Sequence, residues 1–499
     1  MRQRHYVFSA LFVFSSGVVA VGMQGCGSSG DGSQFGPPDN GGGDGSANGD
    51  GTVGNNDGGK QPCFGGAACD GSVETAPPCQ GLQCQVNKKC PGGGKTSVSG
   101  KVFDPAGKNP LYNVVVYVPV DPLGKLPPIK PGTNTCNTCD ANIGDITAAT
   151  LTDETGSFKL NNVPTGQKIP VVMQIGKWRR EIFLPATADC ADTPIVAADS
   201  HLPRKQSEGD IPQMAVLTGG CDPLACLFSR IGLDASEFTN PSGTGRMHVY
   251  KGVGGGDVAG GGAGDCTGAT CPLWTQKPQL EKYDIALLSC ECSEEDQTKS
   301  PQQKLAMHDW INEGGKVFAT HYHYTWFKNG PADFAATANW GASTNNTNPF
   351  AIDTTFPKGQ AFVKWLQVVG ATTNNTIQIT PNDVRDDLTT VNATGQRWIY
   401  APPVGGKPEG DKYYTFNTPT TGLPPAADAG PDAGKSYCGK AVFSDIHVSG
   451  GNTAEAATVP TTCAQRDLTP QEKALEFLFF DLSSCVTNDK EPPIPPTPR

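Results

Sequence analysis

Two short stretches hold the residues best suited to chemistry. In "GGKVFATHYHYTWF", residues 314–327, His321 and His323 stand two apart after an apolar run, and in "FSDIHV" Asp445 and His447 repeat that spacing. Residues two apart along a strand face the same way, so each pair presents its members on one face. Both pairs fall where a strand should end, and open α/β sheets place ligands beyond the C-terminal ends of their strands. If the two strands are neighbours, the imidazoles of His321, His323 and His447 converge with the Asp445 carboxylate, a donor set for a divalent metal. The same histidines have a plainer use as hydrogen-bond partners of loop backbones, while Tyr322, Tyr324, Trp326 and Phe327 seal the end of the sheet. Trp326 also completes the candidate ligand-binding set, with Trp340 and the loop "TGGCD" at 218–222 as walls. Asp222, at the end of that loop, either joins the site or caps the helix beginning at Pro223.

The elements that must position these residues show an alternating pattern. "QMAVLTGG" reads as a first strand, residues 223–231 as a helix, and "YDIALLSC" as an apolar strand of the kind buried in a parallel sheet. Ser300, Pro301 and Gln303 form a cap, a first-turn proline and a capping-box partner for "PQQKLAMHDWINE", which Gly314 and Gly315 end before the strand "KVFAT". "GKAVFSDIHV" is a late strand, and Thr469, Pro470 and Glu472 repeat the capping signature before "QEKALEFLFFDL". These features predict an α/β domain over 210–486 and a Pro-rich tail over 487–499. The Gly- and Pro-rich stretches 252–265 and 418–436 read as surface insertions.

This order of elements resembles the class I glutamine amidotransferase-like fold, a flavodoxin-like α/β architecture, and especially its trehalose-utilisation (ThuA-like) branch. The resemblance implies that "KVFAT" ends where the catalytic members carry a cysteine nucleophile, and that the late strand supplies a histidine. Here the nucleophile position falls on or next to His321, and only His447 keeps a counterpart, so the expected domain is not a catalytic amidotransferase. Cys290 and Cys292, in "SCECSE", come after a different strand and are expected to form disulfides, with Glu291 at the loop tip within reach of a ligand.

Upstream, residues 95–200 carry short β-rich runs such as "TSVSGKVFD", "NVVVYVPV" and "KIPVVMQIGKWRREIFLP", separated by turn residues, which predicts a small β-sandwich. "DPAGKNPLYNVVVYV" and then "TDETGSFKLNNVPTG" resemble the carboxypeptidase regulatory-like (transthyretin-like) domain, which implies a non-catalytic stability or presentation module. The "CNTC" of residues 136–139 is expected to be structural, locally or crosswise bonded, because nothing around it resembles a thioredoxin-like unit. Residues 61–94 form a Cys-rich neck with almost no large apolar residues, which disulfides must hold. Residues 26–60 are almost wholly Gly, Ser, Asp and Asn, a tether that cannot bury enough surface to fold. Residues 1–25 read as a signal peptide, and "VGMQGC" resembles a bacterial lipobox with Cys26 as lipid anchor, so the expected location is the outer membrane or cell surface.

With Cys26 lipidated, 17 of the 18 cysteines remain, and an odd number leaves one thiol over. A net charge of -11 without a basic stripe excludes nucleic acid as a partner. The whole layout resembles a family of bacterial lipoproteins, some labelled tryptophan synthase alpha chain; an export signal and too few βα repeats for an eight-fold barrel argue against that label. Two function classes remain. One is an envelope lipoprotein with a binding or structural role, whose partners are the membrane and an envelope polysaccharide or protein. The other is a metal-assisted or sugar-processing enzyme using a pocket of His321, His323, His447 and Asp445.

Overall fold

The computed structural model describes residues 78–132, 136, 143–342, 345–423, 436–448 and 453–498. The expected signal peptide, Cys26, the tether and the neck as far as residue 77 lie outside the described residues. The fold is a mixed α/β arrangement of several sheets in which a β-rich part precedes an α/β part. No helix among the described residues is long and apolar enough to cross a membrane.

The β-rich part consists of two sheets around one core. Ser97–Lys101 lies between Ser157–Asn161 and Asp192–Pro194, and Val115–Pro119 lies between Ile146–Leu151 and Gly166–Ile175, with Trp178–Thr187 at the far edge. Val98, Leu160, Val116 and Val171, drawn from both sheets, are fully buried in a shared cluster, which is what alternating strands deliver when one face turns inward. The end of the neck is stapled to this unit by Cys90–Cys190, and Cys79–Cys84 closes a short loop within it. In "CNTC", Cys136 bonds crosswise to Cys438 of the α/β part.

The central sheet has eleven strands. Its long members are β1 (Met214–Thr218), β2 (Met247–Lys251), β3 (Ile285–Leu288), β4 (Lys316–Thr320), β5 (Phe350–Ile352), β6 (Gly395–Ala401), β7 (Gly410–Thr418) and β8 (Gly439–Ser444). They lie side by side in the order β2-β1-β3-β4-β8-β7-β6-β5, the first five parallel and the last three antiparallel. The parallel part therefore runs second, first, third, fourth and fifth in chain order, an order whose switch point lies between β1 and β3. Both faces of this part are covered, which explains its nearly continuous apolar strands. Val216, Leu287, Phe318 and Val442 face one core with α1 (Leu224–Arg230), α3 (Pro357–Val368) and α4 (Pro470–Ser483); Leu217, Leu288, Val317 and Phe443 face the other with α2 (Pro301–Asn312). Both anticipated capping boxes form, at Ser300 with Gln303 and at Thr469 with Glu472.

Contacts cross the boundaries between these parts. The core of the sandwich runs into that of the α/β part: Trp178 meets Phe479 and Phe480 of α4 edge-on, at 6.4 and 6.0 Å between ring centroids. The Pro-rich tail after residue 486 is anchored as well. Asp489 is buried, 2.9 Å from Lys358 Nζ and 2.7 Å from Lys440 Nζ, and a buried carboxylate of this kind needs such partners. The insertion at 252–265 is tied down too, through Asp257–Val258 paired with Thr458–Val459.

Because Trp178 is fully buried across the junction, Trp178→Ala should cost about 3–5 kcal/mol. Calorimetry should still show one cooperative transition at lower temperature. A variant in which the α/β part melts unchanged, with a separate transition for the sandwich, would contradict the shared core.

Candidate functional site

β4 and β8 are adjacent and parallel, with Thr320 opposite Ser444, so the chain leaves the sheet side by side at His321 and Asp445. Beyond Thr320 the strand does not continue. His321 turns into the left-handed region with φ +43°, a conformation that costs a non-glycine residue about 1–3 kcal/mol, and residues His321–Tyr324 form a single 3-10 turn. The turn aims the His321 ring at the neighbouring strand ends: its centroid lies 5.1 Å from that of His447, and its Nδ1 lies 3.1 Å from the sulfur of Cys290.

Cys290 is the one cysteine among the described residues outside a disulfide. It stands just after β3, so three consecutive strands of the parallel sheet contribute to one spot. The donor atoms of Cys290, His321 and His447 all lie within 4.8 Å of one another. The spot is deeply buried, with Cys290 at 0%, His447 at 1% and His321 at 7% exposure. His447 Nε2 is buried without a hydrogen-bond partner, a costly arrangement for a polar atom.

The surroundings lock these three residues. Thr320 Oγ1 accepts from the Cys290 amide at 3.0 Å and donates to the Leu288 carbonyl. The Cys221–Cys292 disulfide joins the loops after β1 and β3 on either side of the thiol. A Cβ on Gly219 would meet the Cys290 carbonyl oxygen at 2.1 Å, so only glycine allows this approach. On the far side of the His321 ring, Asp387 Oδ2 lies 3.2 Å from Nε2, at ion-pair distance but without hydrogen-bond alignment.

Burial sets the protonation of the site. It pushes the Cys290 thiol up to about 12, although the backbone N–H groups of Cys292 and Tyr322 favour the thiolate. Burial also lowers His321 to about 2, helped by His447 and Arg385, and lowers His447 to about 3, helped by Arg385. Both imidazoles are therefore neutral at pH 7, as metal ligation requires.

The other anticipated residues do not join this set. His323 lies within the turn, so strand alternation does not apply to it; its Nε2 meets the Ser289 carbonyl at 2.8 Å and its Nδ1 accepts from Trp326 Nε1 at 3.2 Å. It serves the backbone, as the plainer reading held for all three histidines. Trp326 is a core residue packed edge-on against Trp274 at 5.0 Å, not a ligand-binding surface. Asp445 lies past the end of β8 and turns away from His447: its Oδ2 accepts from the amides of Asp387 at 3.0 Å and Leu388 at 3.1 Å. Burial and Asp387 hold its carboxyl well above the usual range.

Asp222 neither caps α1, whose N-cap is Pro223 without a side-chain bond, nor joins the donor set. Its Oδ1 accepts from the Val448 amide at 2.9 Å, fixing the residue that follows His447. Burial raises its carboxyl to about 7, and its Oδ2 has no partner. Glu291 is not at an open loop tip: it is buried against Lys299 at 3.1 Å and accepts from the Val253 amide.

Cys290 and Asp387 are the site residues that sequence reasoning missed. The odd cysteine count was the one available signal for the thiol, whereas Asp387 comes from a loop with no motif. A second cluster of possible donors, Cys90, Asp189 and Cys190, is spent because its two sulfurs are bonded to each other. Compared with known proteins, the chain matches no family model and no curated sequence, so the reading of the site rests on its geometry.

A histidine whose folded-state pKa is depressed favours folding least where only the unfolded chain takes up the proton. Stability should therefore fall as pH drops from about 6.5 toward 3, by up to about 1.4 kcal/mol per pH unit for each such group. Asp222 and Asp387, raised to about 7 and about 6, act in the opposite sense above pH 4, so the difference between proteins is the informative quantity. Denaturant titrations of His447→Ala should show a shallower loss below pH 6.5 than the wild type. Equal slopes would mean that His447 is not held neutral.

Proposed function

We propose that this protein is an envelope lipoprotein, anchored through Cys26, whose α/β part binds a metal ion and does not carry out acyl transfer. The observation that carries the reading is the convergence of one free thiol and two neutral imidazoles within 4.8 Å, at the C-terminal ends of adjacent strands. A thiol and two imidazoles are a donor set used by zinc and copper, and holding it on three strand ends supplies the rigidity that metal affinity needs. The parallel strand order supports kinship with flavodoxin-like and amidotransferase-like folds, and the two-sheet unit supports the carboxypeptidase regulatory-like reading, a module that presents the α/β part beyond the tether. The export segment and tether favour display at the outer membrane or cell surface.

A second reading has a specific observation in its favour. Cys290, His321 and Asp387 stand in the order of nucleophile, base and orienting carboxylate, at 3.1 and 3.2 Å. Against it, Cys290 is completely buried and burial opposes formation of the thiolate, so an attacking sulfur would need both an opening and an activated base. The metal reading also needs a path for the ion but no activated base, because coordination itself drives off the thiol proton.

Elemental analysis of the purified full chain is the test. The wild type should retain close to one equivalent of transition metal per chain, and Cys290→Ser and His447→Ala should each lose it while still folding. A metal content unchanged in both variants would place any bound metal elsewhere and defeat the proposal.

A further inference from the structure

Resting on the metal-binding reading, we infer that Cys290, His321 and His447 form a site for copper(I), a soft monovalent cation, in preference to zinc(II). The number of donors points this way first. Three donor atoms gather within 4.8 Å; Cys292 is committed to its disulfide, His323 to Ser289 and Trp326, and Glu291 to Lys299 and Val253, while the nearby carboxylates of Asp222 and Asp387 stand outside the group. Zinc in proteins is almost always four-coordinate, completing its shell with water where the protein supplies three ligands. Exposures of 0, 1 and 7% leave little access for that water. A monovalent d10 ion is satisfied by three donors.

Charge points the same way. The set holds a sulfur and two imidazoles and no carboxylate, which suits copper(I) and zinc(II) and disfavours hard ions such as calcium and magnesium, so donor number and charge must separate the two. Binding replaces the thiol proton, which leaves to solvent, so thiolate and copper(I) cancel. A divalent ion leaves one positive charge on a buried donor set that contains no carboxylate and lies within the field of Arg385, with Asp222 and Asp387 near the set but outside it. His447 Nε2, finally, is a buried polar atom with no protein partner beside a free thiol. Copper(I) coordination makes use of this imidazole.

The test is an anaerobic titration of the metal-free full chain with copper(I), held at a defined free concentration by a copper(I) chelator, with zinc(II) and cobalt(II) added in parallel. The wild type should take up one equivalent of copper(I), with thiolate charge-transfer absorption in the ultraviolet, and an excess of zinc(II) should not displace it. Cys290→Ser and His447→Ala should each weaken copper(I) binding by more than the about 10–100-fold that loss of an outer partner costs, and Asp387→Asn should stay within that range. Cys290→Ser is close to isosteric, and its circular dichroism will show whether the fold is kept. Tighter zinc(II) binding, or a tetrahedral thiolate spectrum with cobalt(II), would overturn the copper(I) inference and leave a metal site in place. Absence of binding by any of the three ions to the folded wild type would overturn the metal reading itself.

Discussion

The pairing of β4 with β8 is the constraint on which the site depends. Hydrogen bonds between these parallel strands set Thr320 opposite Ser444, so the residues just beyond each strand emerge at the same edge. Nothing in the two histidines themselves would bring them together from such distant positions in the chain; the ladder does. Thr320 and Asp222 then fasten the edge, one to Cys290 and Leu288, the other to Val448. The Cys221–Cys292 disulfide closes it from the side of β1 and β3. A strained turn at His321 persists only where its surroundings overdetermine it, and these bonds provide that support.

The same sheet is held from behind by a continuous core. Sandwich, helices and sheet share buried aromatics from Trp178 through Phe479 to Phe228, which meets Phe479 at 4.8 Å. Beneath the sheet, Lys358 and Lys440 share Asp481 and Asp489 in a buried network that fixes the C-terminal segment against α4. Buried ion pairs of this kind add little net stability, but removing one member leaves an uncompensated buried charge, which is strongly destabilising. The consequence for function is a site on rigid elements, where ligand positions are set by strand ends and not by a mobile loop.

Much of this was legible in the sequence where local rules decide. Capping boxes and apolar strands could be read because each comes from periodicity or from short-range hydrogen bonding, whereas the adjacency of "KVFAT" and "GKAVFS" is a long-range pairing that only the resemblance to amidotransferase-like folds implied. The site was half legible: His321 and His447 approach, as their strand-end placement allowed once the two strands were taken as neighbours. Alternation misled at His323 because the strand ends before His321, and a turn has a different period. Cys290 was hidden by its neighbour Cys292, since two cysteines in three residues suggest a common fate that disulfide geometry did not give them. Asp387 and Asp222 act through contacts far apart in sequence, which no local pattern encodes.

The central claim is that the three donors converge on one ion, and anomalous diffraction from crystals of the copper-loaded protein, measured above and below the copper edge, tests it most directly. A single strong peak within about 2.5 Å of the Cys290 sulfur, His321 Nδ1 and the His447 ring is the predicted result. A peak located elsewhere, or well-ordered side chains of all three residues with no peak between them, would contradict the account.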